Sequence, residues 1–308
     1  MSTPSLSGSA RPLFLPHRTA LLLFGAFVTL SAAGLIALRF IGAAVLERLD
    51  ANSPVPAWAL QFDYGSSLSS AATVIAWLPL PLAFFAGAWL IGGQLERGTA
   101  QLVWTQSALT PARWLAVKLA VAAIVSTAGA GLLSYVYRWA RNGGEDVLID
   151  EWYHTDVFLA LGPASIAYGL LALATGALAG LLLRRAVAAG GVAVLVTAFV
   201  MLSAELWRDR LWPTRDVVWQ RSQGQLAESA WQQENGVVVD GARVPEYWAP
   251  GGTQPTGSHS GQGVSEWYAV FHPPSHCWPI QLVETGIALV LAAAVTFAAF
   301  RVLRRRHA

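Results

Sequence analysis

A chain of 308 residues that is 55% hydrophobic and 12% charged, with net charge +2 and mean hydropathy +0.47, departs from an ordinary soluble domain, where about a quarter of residues carry charge. These values point to a membrane and exclude a disordered chain, a collagen-like repeat and a disulfide scaffold, the last because Cys277 is the only cysteine. The small net charge makes no case for nucleic acid, and the single lysine, Lys118, follows Trp114-Leu115-Ala116-Val117 with no glycine of a phosphate-binding loop, so ATP hydrolysis by that route is excluded.

A hydrocarbon core about 30 Å thick takes about 20 apolar residues per helix. Six runs reach that length, which predicts an all-α polytopic membrane protein. The first, residues 19–46, is crossed by Arg39 and is too long for a signal-peptide core, so it reads as an uncleaved anchor. The second, 70–92, contains Pro79 and Pro81, which should kink or unwind it. The third, 110–136, opens on Thr110-Pro111, a hydroxyl cap followed by proline at the first helical position. The fourth, 156–183, and fifth, 186–204, are separated by Arg184-Arg185 alone and form a tight hairpin. The fourth carries Gly176-Ala177-Leu178-Ala179-Gly180, a close-approach motif for a second chain or for packing inside the bundle. The sixth begins at Trp278-Pro279 and ends in Arg301 and Arg304-Arg305-Arg306.

Short cytoplasmic loops retain arginine and lysine. With both termini inside, eleven basic residues (Arg11, Arg18, Arg97, Arg113, Lys118, Arg184, Arg185, Arg301, Arg304, Arg305 and Arg306) face Glu96 as the one inner acid. The inverted arrangement places an acidic set inside and is rejected. The chain then divides into 1–204, five helices with a cytoplasmic segment at 94–110; 205–277, a large extracellular loop before the last helix; and 278–308, the sixth helix with a basic tail. The loop is rich in tryptophan, has turn clusters at Glu234-Asn235-Gly236 and Pro250-Gly251-Gly252, and holds an alternating stretch from Gly236 to Gly241 that reads as a short strand. Tryptophan favours the membrane interface, so the loop reads as a lid on the outer leaflet rather than a dedicated receptor.

The segment between the second and third spans is the most informative. Gly98 permits a sharp turn, Thr99 can cap a new helix, and Pro111 stops that helix from continuing into the third span. Leu95, Leu102 and Leu109 recur every seven residues, so that edge is expected on the bundle with Gln101, Thr105 and Gln106 facing outward. Glu96, Gly98 and Thr99, then a short helix, then Arg113 and Lys118, resemble the cytoplasmic signature of type-two ATP-binding-cassette (ABC) transporter permeases. Trp104-Thr105-Gln106-Ser107 with Arg113 to Leu119 resembles an uncharacterised bacterial subgroup of them. The stretch from His272 to Glu284 resembles that subgroup's Pro-x-Ser-Arg-aromatic-Trp-x-x-Gln-x-x-Glu motif, with His276 and Cys277 in place of its arginine and aromatic.

The resemblance implies the membrane half of an exporter in the bacterial cytoplasmic membrane. It carries no catalytic group or cofactor, since ATP and Mg belong to a separate ATPase subunit. It pairs with a second copy or a sister permease. Docking would fall to Glu96, Gly98, Thr99, Trp104, Gln106 and Arg113, with Trp104 as an aromatic anchor. Substrates of such machines are often amphipathic. Glu284 lies about 1.5 turns into the sixth span, a candidate intramembrane acid; its shallow position favours a hydrated carboxylate supporting the helix start. His259, His272, His276, Cys277 and Glu266 form no motif of a metal or nucleophilic site. Two rival readings remain: a membrane-embedded enzyme using Glu284 and the loop histidines, and a sensing or immunity protein whose loop binds a ligand.

Overall fold

The computed structural model describes residues 18–50, 64–106, 110–142, 150–220, 229–239, 241–245 and 264–307. Among them, six helices are long and apolar enough to cross a bilayer: Thr19–Ala44, Tyr64–Glu96, Pro111–Arg141, Ala164–Leu183, Ala186–Arg210 and Pro274–Arg306, spans one to six below. The chain is a multi-pass membrane protein, and a β-sheet interrupts it before the last helix. Helical hydrogen bonding outruns the apolar runs: the first helix continues to Asp50 and the third to Arg141. Arg39 sits 5.7 Å from the Trp139 ring, a contact that lets a charged residue stay within span one.

Span two carries the irregularity its prolines predict. Regular helix stops at Trp77, resumes over Pro79–Phe84, and then widens to a π-helix over Phe85–Gly92. The wide turns are accommodated by the neighbouring span. A Cβ on Gly176 would lie 2.5 Å from Ala86 Cβ, and one on Gly180 would lie 2.9 Å from Gly92 N. The two glycines four residues apart therefore serve packing inside this bundle, one of the two uses open to them.

Span four departs from the continuous helix expected over 156–183. It comprises Thr155–Leu161 and Ala164–Leu183, separated by an extended Gly162 and by Pro163, which has no N–H to donate. Gln281 of span six joins the two pieces: its amide nitrogen donates to the Phe158 carbonyl and its amide oxygen accepts from Ala164 N–H at 3.3 Å. Arg184 closes the hairpin to span five in a left-handed conformation, φ +53°.

The loop before span six forms a four-stranded antiparallel sheet, ordered β1 (Arg215–Trp219), β4 (Val264–His272), β2 (Trp231–Val239) and β3 (Ala242–Pro245). The expected short strand is the end of the longer β2. The supposed turn at Glu234-Asn235-Gly236 is strand as well, adjoining a register shift between Gln232 and Glu234. Gly236 serves close approach there, since a Cβ would lie 2.2 Å from Val244 O. The cluster at Pro250 to Gly252 lies outside the described residues. Trp152 fastens the sheet to the bundle, its indole N–H donating to Ser229 O at 2.7 Å and its ring edge-on to Trp231.

Candidate functional site

Span two ends in the short helix Gly93–Glu96, and the chain reverses at Arg97-Gly98, where Gly98 takes φ +70°. A side chain rarely adopts that angle, which accounts for glycine at this position. The next helix, Thr99–Gln106, starts one residue earlier than a Thr99 cap requires. The Gly98 carbonyl accepts its first bonds, from Gln101 and Leu102, while the Thr99 hydroxyl donates back to Gln94 O at 3.2 Å. Thr99 thus supplies a donor to the end of the preceding helix instead of capping its own. Thr110 does cap span three, its hydroxyl accepting from Arg113 N–H at 3.3 Å ahead of Pro111.

The faces of the short helix differ from the seven-residue reading. Ala100 is fully buried and Trp104 half-buried, packed with Leu90, Ile91, Trp114 and Leu115, whereas Leu102 is 56% exposed. The turn at Gly98 lies between Leu95 and Leu102, so their spacing never lay on one helix. Inward positions follow the i, i+4 pair within the helix. Trp104, expected as an outward anchor, instead meets Trp114 edge-on, centroids 5.5 Å apart. Arg113 is exposed; the side chains of Thr105 and Gln106, and all of Leu109, lie outside the described residues.

Glu96 reaches sideways. Its carboxylate accepts the backbone N–H of Ala186, first residue of span five, at 2.8 Å. A negative charge at a helix N-terminus answers both the dipole and an otherwise orphan donor. Lys118, 6% exposed, donates to Leu90 O at 3.1 Å and Gln94 Oε1 at 2.6 Å, its ammonium 4.8 Å from the Trp114 ring. Arg306 of span six donates to Leu181 O in the last turn of span four. One end of the bundle is thus laced by short links among spans two to six.

At the opposite end Glu284 is 2% exposed, not hydrated. Arg208, equally buried at the end of span five, engages it with two nitrogens: Nε to Oε2 at 2.9 Å and Nη2 to Oε1 at 3.2 Å. Tyr168 of span four donates to Oε1 at 2.8 Å, and the guanidinium lies 4.2 Å from the Phe158 ring and donates to Thr155. The physical reason is depth: a carboxylate lodged between helices must be paired, and a two-point arginine satisfies it best. With Gln281 one turn before it, Glu284 joins spans four, five and six.

The family model described as ABC-2 membrane transporter related matches residues 19–208, more than half of the chain. The chain belongs to that family. Neither the comparison with curated proteins nor that with solved structures found a match. The region matched by the ABC-2-related family takes in spans one to five and the whole connector from Glu96 to Arg113; its last residue is Arg208, the partner of Glu284. Family membership makes this a transporter-type membrane protein.

Sequence reading missed Arg208 and Tyr168, and took Gln281 only as a member of the motif from His272 to Glu284. Arg208 sits in Arg208-Asp209-Arg210, which reads as solvated loop; a signal lay in Gln281 and Glu284, three residues apart on one helical face. Of the loop candidates, His259 lies outside the described residues. His272 and His276 face each other, Nδ1 to Nδ1 3.1 Å, and His272 Nε2 lies 2.9 Å from Asp209 O. The carbonyl fixes a donor at Nε2, so in the neutral pair His276 donates to His272 Nδ1. The pair ties β4 to the residue after Arg208. No group of three or more His, Cys, Asp or Glu converges on a metal-sized point among the described residues.

Proposed function

We propose that this chain is the permease subunit of an ABC exporter, and that the helix Thr99–Gln106 receives the movement of a separate ATPase subunit. ATP and Mg belong to that partner, and this chain performs no catalysis. Both termini and the Arg184 hairpin face the cytoplasm of a bacterium, and two bundles, identical or sister, make one transporter. The observation that carries the reading is the set of ties at this connector: Glu96 on span five, Trp104 on span three, and Thr99 back onto span two. A force applied there reaches three spans through contacts of a few ångströms. An ATPase-driven rearrangement of rigid elements needs such linkage. Span two adds compliance, because the π-helix Phe85–Gly92 lies directly before the connector and such turns mark sites of adjustment.

The docking face in this reading is Gln101, Leu102, Gln106 and Arg113, while Glu96, Gly98, Thr99 and Trp104 hold the helix in place. An exposed leucine beside polar residues suits a partner cleft better than lipid or water. The substrate is an amphipathic molecule moved along or released from the bundle. The test is co-purification with the cognate ATPase: Leu102→Glu should reduce retention of the ATPase at least about tenfold, a loss of about 1.4 kcal/mol, with thermal stability unchanged. Transport by the purified chain with no nucleotide-binding partner would overturn the proposal, as would full retention by Leu102→Glu together with Gly98→Val.

A further inference from the structure

The second half of span two leans to one side. A Cβ on Gly87 would lie 2.7 Å from Ala189 O, and one on Gly190 would lie 2.7 Å from the Phe84 ring; with the Gly176 and Gly180 contacts, these press the turns after Pro79 against spans four and five. Their other side, with Pro81, Phe85 and Trp89, does not lie flush on spans one and three, and a cavity of about 670 Å³ is left there. Phe24 and Phe27 of span one face Val121 and Val125 of span three across it, and the stretch of span three from Val117 to Ser126 gives it a length of about 14 Å. Leu23, Val74 and Trp89 line the cavity and are also exposed on the outside of the bundle, as are the neighbouring Leu22 and Ile124. The cavity is thus continuous with the apolar outer surface of spans one to three, where the bilayer lies.

Among the described residues, the polar side chains of the wall are Trp77, Trp89, Lys118 and Ser126. Three of them already bond within the protein: Trp77 donates to Asp156 at 3.1 Å, Ser126 to Ala123 O at 3.2 Å, and Lys118 to Leu90 O and Gln94 Oε1. Trp89 stands at the mouth, edge-on to Phe85. The wall therefore calls for neither charge nor hydrogen bond in a ligand, and a sugar or a peptide would lose its own hydrogen bonds on entering. Water is no better an occupant, since apolar cavities stay dry, and an empty cavity forfeits packing on every side. We infer that this cavity binds one acyl chain of a bilayer phospholipid, taken in sideways and recognised by its hydrocarbon alone, with the headgroup left at the membrane surface. Continuity with the lipid-facing surface decides the source, because the mouth opens directly on acyl chains. A slot of this length between three helices suits an unbranched chain, and its volume is that of a ligand site.

This site stands apart from the docking reading, because lipid binding needs neither ATPase nor nucleotide and is measured on this chain alone. The full chain in detergent, titrated with phospholipid and read by native mass spectrometry, should retain dipalmitoyl phosphatidylcholine at least about tenfold better than dihexanoyl phosphatidylcholine. Dipalmitoyl phosphatidylglycerol should be retained as well as dipalmitoyl phosphatidylcholine, within about twofold, since the headgroup stays outside. Val125→Trp, which fills the cavity, should lower retention of both long-chain lipids about tenfold, whereas Leu195→Trp, on the exposed face of span five, should leave it unchanged. Three results would each overturn the inference: equal retention of long and short chains, a headgroup preference of about tenfold, or Val125→Trp retaining lipid like the wild type. If Val125→Trp is not monodisperse, Val121→Trp takes its place, and the chain-length and headgroup comparisons on the wild type decide without either variant.

Discussion

Span five is held at each end by a carboxylate from another span, and the two attachments differ in kind. At its start Glu96 accepts one backbone N–H from an exposed position; at its finish Glu284, 2% exposed, is gripped by two nitrogens of Arg208 and by the Tyr168 hydroxyl. Water can replace Glu96 at little cost. Nothing comparable replaces Arg208 around Glu284 once the helices have closed. The end near the sheet is therefore the more firmly tied of the two, whereas at the end near Gly98 water can take the carboxylate's place.

The largest effect should come from breaking the buried pair. Glu284→Gln leaves Arg208 charged and unmatched, and removing one member of a buried pair typically costs about 3–5 kcal/mol. Thermal unfolding in detergent should show a clear fall for Glu284→Gln and for Arg208→Met. The double variant Arg208→Met with Glu284→Leu should recover most of that loss, because no uncompensated charge remains. A double variant as unstable as the singles would mean that Tyr168 and Thr155, not the pair itself, dominate this end.

Next comes Gln281, whose amide serves the Phe158 carbonyl and the Ala164 N–H across the break in span four. Gln281→Leu leaves two buried backbone groups unsatisfied, at about 1–3 kcal/mol each. Faster hydrogen exchange at Ala164 and its helical neighbours, with exchange unchanged at the Gly98 end, would place the damage at the sheet end alone.

How much of this was legible depends on whether the cause is local in sequence. The Thr110-Pro111 cap, the Gly98 turn and the six apolar runs each act through neighbours, and each can be read from a handful of residues. The Glu284 environment cannot, since Arg208 is 76 residues away in a run of alternating charge that looks solvated. Leu102 was expected on the bundle for a related reason: a seven-residue period was carried through a turn that resets the helical phase. The break in span four had a visible cause in Gly162-Pro163, overlooked because an apolar run looks continuous wherever hydropathy alone is followed.

Gly98 probes the less firmly tied end. Its φ of +70° costs a β-carbon residue about 1–2 kcal/mol, yet a Cβ there meets no atom within 4 Å. Conformational strain, not a clash, is the expected penalty. Gly98→Val should thus raise hydrogen exchange over Thr99–Gln106, and Gly98→Asn, which tolerates the left-handed region, should do so less. Equal effects of the two substitutions would argue that the turn itself had been remodelled.

The smallest effect belongs to Glu96. An exposed carboxylate at a helix N-terminus is worth about 0.3–1 kcal/mol and is screened by salt. Glu96→Gln keeps an amide oxygen that can accept Ala186 N–H, so it loses the charge and retains the bond; Glu96→Ala loses both. Exchange at Ala186 and the following residues should rise in the order wild type, Gln, Ala. The gap between wild type and Gln should close at high salt, while the gap between Gln and Ala should persist. If Glu96→Gln instead matched Glu284→Gln in its loss of thermal stability, the start of span five would be a fixed anchor too. The contrast between a lightly tied end and a firmly tied one would then have to be abandoned.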